Sequence, residues 1–193
     1  MQSTIFVTKS ELYSWLENSV NHSREKRQQI SSVILEHPHL VLDLLDIAYT
    51  VNDPISCKAA WVLEFAFKED NTIIFPVLNK FFKGLKSLKL ESSIRPCAKI
   101  CEILMIKYFS KKENNIKEQL NENHLEQITT TCFDWLIGDH KVATQAYSMT
   151  SLLLLGQKYS WIYPDLRSIL EKNYPYGTAA YKARARLTLA KIK

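Results

Sequence analysis

The sequence predicts an all-α protein built from stacked two-helix units, and three observations carry that prediction. The first is composition. The 193 residues include only 4 glycines, with 46% hydrophobic and 23% charged side chains. Few glycines mean few tight turns, and the dominant Leu, Ile, Lys, Glu and Ala favour helix. The second is periodicity: apolar residues recur at three- and four-residue spacing, and no segment alternates as a strand does. The third is a pair of repeating landmarks. Pro-x-Leu occurs at Pro38, Pro76 and Pro164, with spacings of 38 and 88 residues. Alanines follow at Ala60, Ala98, Ala146 and Ala185, stepping by 38, 48 and 39 residues. The unit of Ala146 has His124 where its proline is expected.

Helices are expected near 9–20, 23–36, 38–50, 54–69, 73–87, 93–110, 123–137, 140–158, 162–173 and 178–191. Asp53-Pro54 opens the helix of Ala60, because aspartate accepts hydrogen bonds from free first-turn N–H groups and proline is tolerated there. Asp139-His140 stands in the same relation to Ala146, just after the helix-ending Gly138. Ser92 or Ser93 is expected to cap the helix of Ala98, with Pro96 in its first turn, where the missing N–H costs little. Residues 110–123 are polar and asparagine-rich and stretch the period to 48.

Each unit thus reads as a first helix, a turn and a capped second helix with a small contact residue. These features resemble HEAT repeats over about residues 23–192. The whole also resembles a group of small bacterial HEAT-like proteins of unknown function, most recognisably at Ala-Ala-Trp-Val-Leu (59–63) and Lys-Ala-Arg-Ala-Arg (182–186). The resemblance implies one domain over residues 1–193, a right-handed α-α superhelix. The stretch 91–102, ESSIRPCAKICE, also looks like the Ser-Ser-x-Met-Pro loop of the adenylosuccinate lyase and fumarase superfamily. Glutamate stands where that loop has glycine, arginine replaces methionine, and the Asn-Pro is missing. The stretch therefore reads as a helix start, not a catalytic loop.

Composition also bears on function. The apolar run Ser151–Leu155 is far shorter than the roughly 20 residues that cross a bilayer. Met1–Ser10 has no basic region leading into an apolar stretch, so a cytoplasmic chain without membrane attachment is expected. Cys57, Cys97, Cys101 and Cys132 lie in apolar helical patterns and read as buried thiols. The net charge of +5 resides in residues 181–193, which hold five basic residues and no acid; the remaining 180 carry 20 of each sign. That is not the broad basic face of a dedicated nucleic-acid binder.

Cys97, Cys101 and His124 lack a second ligand pair, so no metal is expected. A phosphate loop, a dinucleotide fingerprint and a nucleophile elbow are also missing. No catalytic residue and no cofactor are expected. Two function classes remain. One is a non-enzymatic scaffold whose second helices present a concave face to a protein or peptide. Its candidate contacts are Trp61, Lys99, Tyr147 and Arg186, each one residue after a repeat alanine. The other is a DNA-binding protein similar to the HEAT-like DNA alkylation repair glycosylases, with Glu64 one turn from Trp61.

Overall fold

The structure is a computed structural model that describes residues 7–192. Residues 1–6, on which part of the expectation of no leader rests, and Lys193 of the basic C-terminal stretch lie outside the described residues. Among the described residues there are eleven α-helices, three 3₁₀ segments and no strand. None of the helices is long and apolar enough to cross a membrane.

The chain divides into two compact units, residues 1–97 and 98–193. The first unit opens with α1 (Lys9–Ser19), started by a capping box: Glu11 N donates to Thr8 Oγ1 at 3.3 Å and Thr8 N to Glu11 Oε2 at 2.8 Å. Helices α2 (Arg24–Glu36), α3 (Leu40–Ala48) and α4 (Ile55–Glu69) follow. Pro38 lies in the turn before α3; Pro54, not Asp53, is the N-cap residue of α4, and Asp53 Oδ1, one residue earlier, accepts from Ile55 N at 3.0 Å. Helix α4 is the centre of this unit and packs against α1, α2 and α3. Leu12, Leu16, Leu44, Leu45, Leu63 and Phe67 form the core between them, each fully buried.

The single helix expected over 73–87 is instead three pieces: a 3₁₀ segment Asn71–Val77, α5 (Leu78–Gly84) and a 3₁₀ turn Leu85–Ser87. Pro76 is the physical reason, since it cannot donate to the preceding turn, so the α-pattern begins only after it. Tyr49 closes α3 with its ring against the bare backbone of Gly84, where an added Cβ would lie 2.2 Å from Cε2. Its hydroxyl donates to the Phe81 carbonyl at 2.5 Å.

Helix α6 runs Glu91–Tyr108, two residues earlier than expected. The carbonyl of Leu90 accepts from Ser93 N and Ile94 N, so neither Ser92 nor Ser93 is the cap. Ser93 is instead buried in the helix, its Oγ 2.9 Å from that of Ser56. Pro96 is the sixth helical residue, beyond the first turn.

The second unit contains the remainder of α6, α7 (Ile116–Gln119), α8 (Glu122–Ile137), α9 (Val142–Leu155), α10 (Ile162–Asn173) and α11 (Ala179–Leu189). The polar stretch after α6 holds the short α7, which Ile116 anchors at 2% exposure. His124, at the place of the missing proline, completes a capping box with Asn121 at the start of α8. The sequence placed Asp139 as the cap of the next helix. Helix α9 starts later, at Val142, and Lys141 occupies its N-cap position without a side-chain capping hydrogen bond.

Helix α9 packs against α8, α10 and α11. Surrounded in this way, it buries hydroxyls as well as leucines. Ser148 and Ser151 satisfy theirs on the carbonyls of Thr144 and Tyr147, one turn back. Leu152, Leu155, Ile162, Leu166 and Leu170 fill the core, and Gly156 lets the Tyr163 ring rest on its backbone. The repeat alanines Ala60, Ala98, Ala146 and Ala185 are all buried, at 0, 1, 9 and 0% exposure.

Candidate functional site

In the first unit, α2, α4 and the start of α6 bring six charged side chains to one cleft. Helical spacing explains the α4 contribution: Trp61, Glu64, Phe65 and Lys68 share one face at i, i+3, i+4 and i+7. Arg24 and Arg27 come from α2, and Arg95 from α6.

Trp61 is the hub. It is 8% exposed, and its indole N–H donates to the carbonyl of Ser92 at 2.9 Å. That carbonyl would ordinarily accept from the residue four positions on, but that residue is Pro96, which has no N–H. The indole supplies the donor the proline removes. On the ring's face lies the Arg27 guanidinium, 4.6 Å from the centroid and 5.8 Å from that of Phe65. The indole ring also meets the His22 ring at 5.1 Å. Arg27 is further held by the backbone: Nε donates to Asn21 O at 3.3 Å and Nη2 to His22 O at 2.5 Å.

Glu64 sits beneath these cations with a side chain only 5% exposed. Lys68 pairs with its Oε1, and Arg95 Nη2 lies 4.0 Å from Oε2. Burial, and next the neighbouring charge of Arg95, lower the Arg27 pKa against the opposing pull of Glu64. Burial and the Glu64 charge together push the Cys97 thiol up. The open side is a cleft of about 380 Å³ lined by Arg24, Arg27, Lys68 and Arg95 against Glu64 and Glu69. Four cations face two carboxylates in a unit whose 97 residues carry 11 basic and 11 acidic side chains. The cluster is a local positive excess suited to an anion. Glu64, engaged by Lys68 and facing Arg95, is the buried counter-charge of this cluster.

The other three candidates belong to the second unit. Lys99 lies 4.6 Å over the Tyr147 ring, and its Nζ is 2.6 Å from Oε2 of the buried Glu102. These two positions, 48 residues apart, are thus in contact. Arg186 is exposed and borders a separate cleft with Glu171, Tyr174, Pro175 and Leu189. The shared offset therefore yields graded exposure: Trp61 buried, Lys99 and Tyr147 half-buried, Arg186 exposed.

Arg27 and Arg95 were not singled out from the sequence, although two signals for them exist. Arg24 and Arg27 stand three apart on one helix face, and Arg95 precedes the proline that ties Ser92 to Trp61. The thiols Cys97 and Cys101 are fully buried, and the His124 ring serves the α8 cap. Among the described residues no group of three or more His, Cys, Asp and Glu side chains is placed to hold a metal ion.

No family model matches the sequence, and neither a curated protein nor a solved structure matches it significantly.

Proposed function

We propose that the chain is a non-enzymatic interaction module, a right-handed α-α superhelix of HEAT-like pairs that binds a protein or peptide on its concave face. The buried repeat alanines and the helix pairs α3–α4 and α8–α9 support that architecture. One observation supports the partner's chemistry: four cations line one cleft with Phe65 around the buried Glu64, with Glu69 as the only other carboxylate lining it. Such an arrangement suits an acidic peptide segment, whose carboxylates would meet Arg24, Arg27 and Arg95 in charge-assisted hydrogen bonds. Trp61 acts here as the platform that orients Arg27. Lys99, Tyr147 and Arg186 are the contacts proposed for the second unit.

The test is a titration of the intact chain with a fluorescent decapeptide of alternating Glu and Leu, against a Gln-Leu control and a short DNA duplex. Arg95→Ala and Arg27→Ala should each weaken the Glu-Leu peptide about tenfold or more, as expected for interface arginines. Equal binding of the Gln-Leu peptide refutes the reading. Tighter, steeply salt-dependent binding of the duplex instead favours the DNA-binding alternative.

A further inference from the structure

The second unit carries a surface of opposite character. Glu122, Glu126, Thr130 and Asp134 recur every four residues along α8, and Phe133 and Ile137 form the adjacent row. Helix α8 contains no Lys or Arg, whereas residues 98–193 as a whole hold 14 basic and 9 acidic side chains. Trp161, at the start of α10, stacks on Phe133 with centroids 6.0 Å apart and planes at 21°. It nevertheless remains 54% exposed, and Ile137 is 65% exposed. Glu122, Glu126, Thr130, Phe133, Asp134, Tyr159 and Trp161 bound a cleft of about 520 Å³ whose open side is rimmed by carboxylates; Ile137 borders a second cleft that shares Phe133 and Trp161 with it.

The carboxylates are not equivalent. Glu122 is engaged by Lys158 and by the Tyr159 hydroxyl; burial, and next this bond, push the phenol up to about 12. Glu126 and Asp134 have no side-chain hydrogen bond or ion pair with any described residue. A single exposed aromatic, or a solvated acidic helix, is ordinary on a protein surface. Here a stacked aromatic pair and two unengaged carboxylates line one cleft in a unit of net positive charge, and an exposed isoleucine lines the next cleft on the same aromatic pair. An aromatic face attracts cations, carboxylates bind guanidinium groups in a bidentate fashion, and the local field opposes that of the surrounding unit.

We infer that this groove docks an extended basic segment of a partner protein, with arginines on Glu126 and Asp134 and an apolar side chain between them on Trp161 and Phe133. The spacing fixes the pattern. Eight residues of helix separate the two carboxylates by about 12 Å. In an extended chain, residues i and i+4 lie about 13 Å apart on one face, and residue i+2 points the same way. The recognised element is therefore Arg-x-Leu-x-Arg or a close relative. This surface lies wholly within the second unit and does not rest on the cluster around Glu64.

The probe is the peptide Gly-Arg-Ser-Leu-Ser-Arg-Gly, blocked at both ends, titrated into the ¹⁵N-labelled intact chain. Controls replace both arginines by glutamate, or the leucine by serine; spermidine serves as a cation without an apolar side chain. Saturable shifts of the Trp161 indole N–H and of the amides around Glu126 to Asp134 are expected. The double variant Glu126→Gln, Asp134→Asn should weaken binding about tenfold, and Trp161→Ala or the serine peptide about fivefold, each with an otherwise unchanged spectrum. The inference is overturned if the glutamate peptide binds equally, if spermidine matches the arginine peptide, or if the double amide variant retains full affinity. It is also overturned if dilution of the peptide-free chain moves the same resonances, which would make a second copy the occupant. Loss of binding to the acidic decapeptide leaves this result unaffected, so the two readings fail separately.

Discussion

If the indole of Trp61 replaces the backbone donor that Pro96 lacks, the two residues must be coupled energetically. The perturbation is a double-mutant cycle with Trp61→Phe and Pro96→Ala. Phenylalanine keeps most of the apolar packing and removes the N–H that reaches Ser92 O at 2.9 Å. A buried acceptor left without a donor costs about 1–3 kcal/mol. The Ser92 side of this bond is exposed and water can compensate, so about 1 kcal/mol is the appropriate part of that range. In the Pro96→Ala background the new amide of residue 96 donates to the same carbonyl, and the penalty disappears. The reduced ring volume of phenylalanine contributes to both backgrounds and cancels. The expected coupling is therefore about 1 kcal/mol, larger than the roughly 0.3–0.5 kcal/mol by which independent sites deviate from additivity. Urea denaturation followed by far-UV circular dichroism gives all four stabilities without depending on the tryptophan being changed. Additivity within about 0.3 kcal/mol would refute the substitution of indole for backbone.

Gly84→Ala should cost about 1–3 kcal/mol, because the new Cβ would lie 2.2 Å from the Tyr49 ring; Tyr49→Ala should remove that cost, and a wild-type-like stability of Gly84→Ala alone would contradict the packing. Burial pushes Asp46 up, yet the hydrogen bond and charge of Lys80, aided by Lys9, outweigh it and hold its pKa below the ordinary 3.8. The stability of this pair is thus present above that value and lost as pH falls through the lower folded one. Lys80→Ala should then destabilise by up to about 1 kcal/mol at neutral pH and by nothing in strong acid, and an equal difference at both ends would count against it. Cys97, Cys101 and Cys132 are each under 2% exposed, and burial pushes the Cys132 thiol up to about 12. All three should resist a thiol reagent at mildly alkaline pH until denaturant is added; rapid stoichiometric labelling of any of them in the native chain would refute their burial.

Helix positions were legible because apolar spacing survives any tertiary arrangement. The bond from Ile55 N to the Asp53 carboxylate, the burial of all four repeat alanines and the helices around them follow directly from local chemistry. Prolines were harder to read. Pro76 was visible, but not that it would split one helix into a 3₁₀ segment, α5 and a 3₁₀ turn. Pro96 was placed in a first turn because a proline deeper in a helix is costly; the cost is met by a side chain 35 residues earlier, which no local pattern reports. Asp139 matched the Asp53 pattern, yet Lys141 is the N-cap, since equivalent sequence positions do not enforce equivalent helix starts. Of the candidate contacts, the offset predicted the meeting of Lys99 and Tyr147 only in the sense of a common strip. The Glu64 cluster escaped because Arg27 and Arg95 acquire meaning only when three helices converge.

The two tyrosines seated on glycines have a kinetic consequence. A phenol ring turns over about its Cβ–Cγ axis only when its surroundings give way, and the rings of Tyr49 and Tyr163 lie where not even a methyl group would fit against the opposing backbone. Each half-turn must therefore wait for a transient expansion of the helices around it. Tyr49 is further anchored by its hydroxyl on the Phe81 carbonyl and should turn more slowly than Tyr163. Separate resonances for the two edges of each ring, and the temperature at which they merge, would time the breathing of residues 1–97 and of residues 98–193 independently.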